Sequence, residues 1–198
     1  LEEGLISDPS FDIEDYLVKR LGKNFGRAED YGFIKGTGEH MPTGILADEG
    51  GAEVGVTASS ATAITADELM DLFHSLKAPY RSKAVWVMND STIKAVRKLK
   101  DNNGQYLWQN SLTADAPHTL LGRPVYTSAY MPTIEAGAKS ILFGDLGYYW
   151  VADREGRSFK RLNELYAATG QVGFLASERV DGKLILPEAV KVLAQKSA

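Results

Sequence analysis

The sequence predicts an α+β fold, and three observations carry that prediction. One long amphipathic helix is predicted between residues 11 and 35, strand and helix patterns alternate through the middle of the chain, and the last third is mostly β. With 198 residues, 44% of them hydrophobic, the chain can bury a core. Its length suits one domain or two closely associated ones.

The first helix is predicted from apolar residues that recur every three to four positions and therefore share one stripe. Ser10 and Asp12 are candidate N-caps, and Gly36 is a candidate C-cap. At about 1.5 Å per residue this helix would extend roughly 35 Å, which makes it a spine for the fold. The stripe consists of Ile13, Leu17, Leu21, Phe25 and Ala28.

The middle of the chain predicts two further helices and two strands. Residues 47–63 are rich in Gly, Ala, Ser and Thr, which predicts a mobile or extended connection with one short strand at 54–57. Thr65 to Glu68 form a capping box, so a second helix starts there and ends before Pro79. The apolar run 84–88 is typical of a buried strand, and Asn89 to Ser91 cap the helix that follows.

The last third predicts a series of strands and one closing helix. Glu155-Gly156 and Asp181-Gly182 are tight-turn signals, and Pro187 is placed to begin a helix that continues through Leu193. The predicted strands are 124–127, 140–143, 148–153, 158–162 and 171–180.

Composition excludes several classes of function. Lys and Arg number 22 against 26 Asp and Glu, so the net charge of −4 disfavours a protein that coats nucleic acid directly. The absence of cysteine excludes disulfides, thiolate metal sites and cysteine nucleophiles. No apolar run approaches the roughly 20 residues that span a bilayer, so we expect a soluble, unexported chain without a membrane partner. Because it begins at Leu1 without a methionine, we expect an upstream portion to be missing.

Motifs for catalysis and for cofactor or metal binding are not found in the sequence. It has no Gly-x-Ser-x-Gly elbow, and His40, His74 and His118 lack the spacing of paired metal ligands. The segment 36–41 lacks the third glycine of a dinucleotide loop and is interpreted as a helix terminator with a turn. We assign no catalytic residue, metal or cofactor. A basic cluster at one helix end suits a solvated face, with a phosphate or partner contact as the alternative: Lys94, Arg97, Lys98 and Lys100.

A series of short phrases, in order, resembles the major capsid proteins of tailed bacteriophages and prophages, which have the Hong Kong 97-type fold. Each phrase alone is weak, but their succession over nearly the whole chain is specific. The phrases lie at residues 28–38 (AEDYGFIKGTG), 42–46 (PTGIL), 84–89 (AVWVMN), 99–101 with 104–108, 120–125 (LLGRPV), 128 with 131–132, 143–145 with 148, and 178–182 (ERVDG).

This resemblance implies a peripheral domain with the spine helix and a long β-arm, and an axial domain of mixed sheet and helices. The peripheral domain would comprise residues 1–48 and 146–177, and the axial domain 49–145 and 178–198. Residues 153–157 would form the turn of the β-arm, where Arg154, Glu155 and Arg157 would contact neighbouring subunits. The alternative for these charges is an ordinary hairpin tip in water.

The resemblance also implies the function. The chain would assemble with copies of itself into pentamers and hexamers of an icosahedral capsid that encloses DNA without sequence-specific contact. Scaffold, maturation protease and portal proteins are the other implied partners, with assembly in the bacterial host cytoplasm and final location in the virion. The N-terminal arm and extended loop of the family would precede this chain. Two alternatives stay open: an encapsulin-type nanocompartment shell, and a soluble α/β enzyme with a concave polar pocket.

Overall fold

The computed structural model describes residues 1, 12–101, 103–108, 119–154 and 156–197. The helices of this part of the chain are α1 (Ile13–Lys35), α2 (Ala66–Ser75), α3 (Ala78–Arg81) and α4 (Asp90–Arg97). Its strands are β1 (Glu53–Thr57), β2 (Val85–Met88), β3 (Thr119–Leu120), β4 (Arg123–Thr127), β5 (Lys139–Gly144), β6 (Tyr149–Asp153), β7 (Ser158–Leu162), β8 (Gly173–Ser177), β9 (Val180–Leu184) and β10 (Val190–Ala194). The mixture of helices and sheet confirms the predicted α+β class.

A six-stranded mixed sheet forms the centre of the molecule, with the order β1-β10-β5-β2-β4-β3. The pairs β1–β10 and β2–β4 are parallel, and the other neighbours in the sheet are antiparallel. Strands β10, β5 and β2 are therefore internal, and two hydrophobic clusters cover their side chains on both faces of the sheet. This position explains why their sequences are nearly continuous apolar runs rather than alternating ones.

Two hydrophobic clusters lie on opposite faces of this sheet, and adjacent residues of β5 point into each. Phe143 stacks on Trp86 with ring centroids 4.2 Å apart, in the cluster that α2 and α4 cover. Leu142, one residue earlier, packs in the second cluster with Ile34 from the end of α1 and with Val192. The spine helix is thus anchored to the sheet by its last turns.

Helix α1 begins and ends as its sequence predicts. The Asp12 carboxylate accepts a hydrogen bond from the amide of Asp15 at 2.9 Å, so Asp12 is the N-cap, while Ser10 lies outside the described residues. The Gly36 amide donates to the Gly32 carbonyl at 2.9 Å and closes the helix. A side chain at Gly36 would lie 2.1 Å from the Pro42 carbonyl, so the turn after the helix requires glycine there.

Strands β6 to β9 form a two-stranded ribbon. Antiparallel pairs join β6 to β9 and, further out, β7 to β8, and the chain reverses between residues 163 and 172. The pairing is interrupted once, where the Arg154 amide still donates to the Arg179 carbonyl at 3.0 Å. The ribbon corresponds to the β-arm that the resemblance implies.

Two predictions of local structure in the last third are wrong. Pro187 begins only a 3-10 turn (Pro187–Ala189), and the predicted closing helix is strand β10. Val190, Val192 and Leu193 are fully buried because β10 lies inside the sheet, and a short apolar run cannot distinguish a buried strand from a helix. Asp181-Gly182 is not a turn but lies within β9, opposite Ala152 and Val151.

The predicted strand 171–180 is two strands, β8 and β9, separated at residues 178–179. Because β9 pairs with β6, the ribbon extends past residue 177, where the peripheral domain was predicted to end. The division into peripheral and axial domains stays a prediction.

Candidate subunit-contact surface

The ribbon presents large apolar side chains to solvent on both sides. Trp150 and Leu165 are about two-thirds exposed, at 65% and 66%, and Leu175 is 51% exposed. Isolated two-stranded ribbons are at best marginally stable in water, because neither face is covered. Exposed apolar side chains at adjacent positions, such as Trp150 with Val151 and Leu165 with Tyr166, are typical of interaction sites. The ribbon is therefore the strongest candidate in the described chain for contact with another protein.

The predicted contact residues lie in the middle of the ribbon and not at its turn. The prediction of a turn at residues 153–157 is wrong, because β6 and β7 each pair with a later strand and not with each other. Arg154 and Arg157 flank the interruption between the two pairs of strands, and both are exposed. Glu155 lies outside the described residues.

Arg157 joins the ribbon to the spine helix of its own chain. Its Nη2 donates to Oε1 of Glu29 on α1 at 2.7 Å, and its Nε lies 3.0 Å from Oε1 of Glu178. These two carboxylates therefore share one guanidinium. The sequence offered no signal for this cluster, because Glu29 and Arg157 are 128 positions apart.

Burial shifts the protonation equilibrium of Glu178 in this cluster. Its side chain is only 7% exposed, and removal from water raises the pKa of the Glu178 carboxyl above its ordinary value. The neighbouring Glu29 carboxyl raises that pKa further, while Arg157 opposes the shift. The guanidinium in turn has its pKa raised, chiefly by its hydrogen bond to Glu29. The cluster thus holds helix and ribbon together through one cation.

A second ion pair connects the ribbon to the beginning of the same helix. Arg161 Nη1 donates to Glu14 Oε1 at 2.5 Å, and Arg161 Nε donates to the Asn163 side chain at 2.7 Å. Both Arg161 and Glu14 are about 40% exposed, so solvent weakens the pair. Together with Arg157 it aligns ribbon and helix along much of their length.

Outside its apolar stripe, much of the surface of α1 is exposed in the described part of the chain. Of the predicted apolar stripe, Ile13 is buried, Leu17, Leu21 and Phe25 are half-buried, and Ala28 is exposed. The stripe is the least exposed side of the helix, as predicted, but the rest of its circumference faces solvent. The spine helix and the ribbon therefore offer extended surface to other chains.

The described residues offer no constellation for metal binding. No group of three or more His, Asp or Glu side chains among them is arranged to hold a metal ion. A groove of about 740 Å³ runs between α1 and the ribbon, and its lining includes Phe25, Met41 and Arg154. Two carboxylates of its lining, Glu29 and Glu178, are engaged by Arg157. None of the helices in the described part of the chain has the length and hydropathy that crossing a bilayer requires.

Comparisons with known proteins agree with this architecture. The chain is 38% identical to the capsid protein of a native GTA particle, covering 99% of this chain and 70% of that one with a TM-score of 0.88. The capsid of an empty GTA particle is equally similar, with 38% identity and a TM-score of 0.87. A comparison with curated proteins returns no match.

More distant structures share the fold alone. Gordonia phage Cozz gives 11% identity over 100% of this chain and 68% of its own, with a TM-score of 0.71. An encapsulin complex from Synechococcus elongatus gives 18% identity over 98% and 70%, also with a TM-score of 0.71. These matches confirm the Hong Kong 97-type fold that the resemblance implied.

The family itself is shown by a direct match as well as by the GTA capsids. The model of the phage capsid family matches residues 2–194, which is nearly the whole chain. The chain belongs to the phage capsid family and is a structural subunit of a virion capsid that associates with copies of itself.

Proposed function

We propose that this chain forms pentameric and hexameric capsomers that close into an icosahedral shell around a DNA genome, without catalysing a reaction. The observation that carries the proposal is the exposed ribbon, whose apolar side chains Trp150, Leu165 and Leu175 are more than half exposed in the described chain. Closed symmetry repeats one such contact many times, so modest interfaces together stabilise a shell. Assembly would take place in the bacterial host cytoplasm, with scaffold, maturation protease and portal proteins as further partners.

We propose different contacts for Arg154 and Arg157, the two arginines that were predicted to meet neighbouring subunits. Arg154 is exposed and forms no side-chain ion pair within the described residues, so it is free to meet a carboxylate of a neighbouring subunit. Arg157 already contacts Glu29 and Glu178, yet its side chain is still 52% exposed and can donate to a further carboxylate. The peripheral domain would comprise the spine helix and the ribbon, and the axial domain the six-stranded sheet with α2 and α4.

Negative-stain electron microscopy with light scattering tests the proposal. We expect the full-length protein to form capsomer rings or regular shells, and those shells to protect DNA from nuclease when they assemble in infected cells. Monodisperse monomers at every salt and protein concentration would contradict the proposal. Shells that enclose a protein cargo instead of DNA would favour an encapsulin-like compartment, which the fold also permits.

A further inference from the structure

The spine helix carries a concentrated positive charge on a chain that is acidic overall. Residues 16–28 contain four cations and no Asp or Glu, whereas the whole chain has a net charge of −4. The acidic excess therefore lies entirely outside this segment. The four cations, Lys19, Arg20, Lys23 and Arg27, are all exposed.

These four side chains lie on one side of α1. At about 100° per residue they fall within an arc of roughly 100°, turned away from the apolar stripe that begins at Ile13. Lys19, Lys23 and Arg27 follow one another at intervals of four residues, or about 6 Å along the helix axis. We call these four side chains the basic face of α1.

Little in the described chain neutralises the basic face. Lys19 pairs with Asp15 at 2.6 Å, but both side chains are more than half exposed, so the pair is weak. Arg20 donates to the hydroxyl of Tyr16, which carries no charge. Among the described residues, Lys23 and Arg27 have no carboxylate partner. The face thus keeps a net positive charge for an external anion.

The chemistry of the basic face favours phosphate over protein as its occupant. Two of the four cations are lysines, which are depleted at protein–protein interfaces, and the apolar stripe of α1 lies on another side of the helix. Regularly spaced cations on an exposed helix are suited to a phosphate backbone, which they contact without reading sequence. Gly22 and Gly26 lie beside the face with open space where a side chain would stand, so they leave room for a bulky strand to approach.

We propose that the basic face of α1 contacts the phosphate backbone of the DNA that the shell encloses. This inference rests on the proposed function and deepens it, because it assigns named residues to the inner lining. The contact is electrostatic and independent of sequence, so it weakens as salt is raised. It also reconciles an acidic subunit with an anionic cargo, since attraction is confined to one helix.

The test compares DNA binding by the wild-type subunit and by the triple variant Lys19→Gln, Lys23→Gln, Arg27→Gln. Glutamine keeps helix propensity close to that of lysine and arginine, and circular dichroism verifies that α1 is retained. Binding of a short mixed-sequence DNA duplex is measured by fluorescence anisotropy between about 50 and 200 mM salt. We expect the slope of log affinity against log salt to become shallower by roughly 2 to 3 in the variant.

A matched control removes three exposed cations elsewhere, with Lys83→Gln, Lys183→Gln and Lys196→Gln. The control is expected to keep the wild-type slope. Equal losses in the two variants would attribute binding to net charge and overturn the proposal, as would an unchanged slope in the basic-face variant or no binding by the wild type.

Electron microscopy of the same proteins separates this inference from the proposed function. Shells from the basic-face variant together with weakened DNA binding support the inference. Loss of capsomers with unchanged DNA binding would show that a second copy of the chain occupies the face, which overturns it. Failure of the wild type to form shells would instead contradict the proposed function, whatever the anisotropy shows.

Discussion

Two glutamates show how single residues respond to their surroundings in this fold. Glu178 is buried beside Glu29, and its pKa is raised by that burial. Glu188 accepts hydrogen bonds from Lys77 and from the Tyr80 hydroxyl, the latter at 2.6 Å, and these bonds lower its pKa. The same contact raises the pKa of Tyr80 to about 12. Ionisation of Glu178 therefore opposes folding, whereas ionisation of Glu188 favours it.

Replacement by glutamine is expected to have opposite effects at these two positions. A carboxyl whose pKa is raised by folding costs stability once it is ionised, so Glu178→Gln raises the melting temperature at neutral pH. A carboxyl whose pKa is lowered contributes stability above the unfolded value of about 4.3 and loses it as pH falls through the folded pKa. Glu188→Gln therefore lowers the melting temperature at neutral pH.

Differential scanning calorimetry from about pH 4 to pH 8 measures both effects. The Glu178 difference should largely vanish towards pH 4, where its carboxyl becomes protonated in both the folded and the unfolded state. The Glu188 difference should only begin to shrink there, because the pKa of this carboxyl in the folded state lies below the unfolded value of about 4.3. A lower melting temperature for Glu178→Gln at neutral pH would show that its contact with Arg157 outweighs its burial.

Gly182 is a position where the absence of a side chain is required. A Cβ there would lie 2.7 Å from the hydroxyl of Tyr149, which donates to the Thr43 carbonyl at 2.9 Å. Gly182→Ala is expected to displace this ring and destabilise the chain by about 1–3 kcal/mol, the range for overpacking a close contact. Chemical denaturation gives the value, with Tyr149→Phe as the comparison because it removes only the hydroxyl. Wild-type stability in Gly182→Ala would show that the ring moves without cost.

At the scale of the elements, the spine helix contains glycines that its own chain does not require. A Cβ at Gly22 or Gly26 would meet no atom within 4 Å, and both lie in the helix interior. Each Gly→Ala substitution is expected to stabilise the isolated subunit by roughly 0.5–1 kcal/mol, because alanine loses less backbone entropy on folding. Urea unfolding of the two single variants provides the measurement. Destabilisation by either would indicate that α1 bends there in a way that alanine disfavours.

At the scale of the whole molecule, substitutions in the exposed ribbon are expected to affect assembly but not the stability of the isolated subunit. Trp150→Ser and Leu175→Ser remove apolar side chains that are more than half exposed. We expect each to change the free energy of unfolding of the subunit by no more than about 0.5 kcal/mol, as for surface substitutions generally. Each should raise the protein concentration at which light scattering first detects capsomers. Lys83→Ser, at an exposed position of the sheet domain, serves as the control.

An unchanged assembly threshold in both ribbon variants would show that these side chains do not lie in an interface. The ribbon would then need another explanation for its exposed apolar residues. A large loss of subunit stability would point instead to packing within the chain.

Much of this architecture follows from local sequence, because the interactions concerned span only a few residues. The capping box of α2 forms as predicted: the Thr65 side chain accepts from the Glu68 amide at 3.3 Å, and Glu68 accepts from the Thr65 amide at 2.9 Å. Asn89 caps α4 in the same local manner. The order of short phrases along the chain was sufficient to recognise the phage capsid family and hence the fold.

Only the tertiary structure decided which elements pair and which charges meet. Residues 190–194 became a strand because the sheet has an internal place for them between β1 and β5, a fact no local window contains. The sequence predicted that Arg157 contacts a neighbouring subunit. Its partners within the chain, Glu29 and Glu178, could not be recognised because they are distant in sequence. The pairing of β6 with β9 and of β7 with β8 places Arg157 beside Glu178, and the position of α1 along the ribbon adds Glu29. Such long-range contacts depend on the tertiary fold rather than on neighbouring residues.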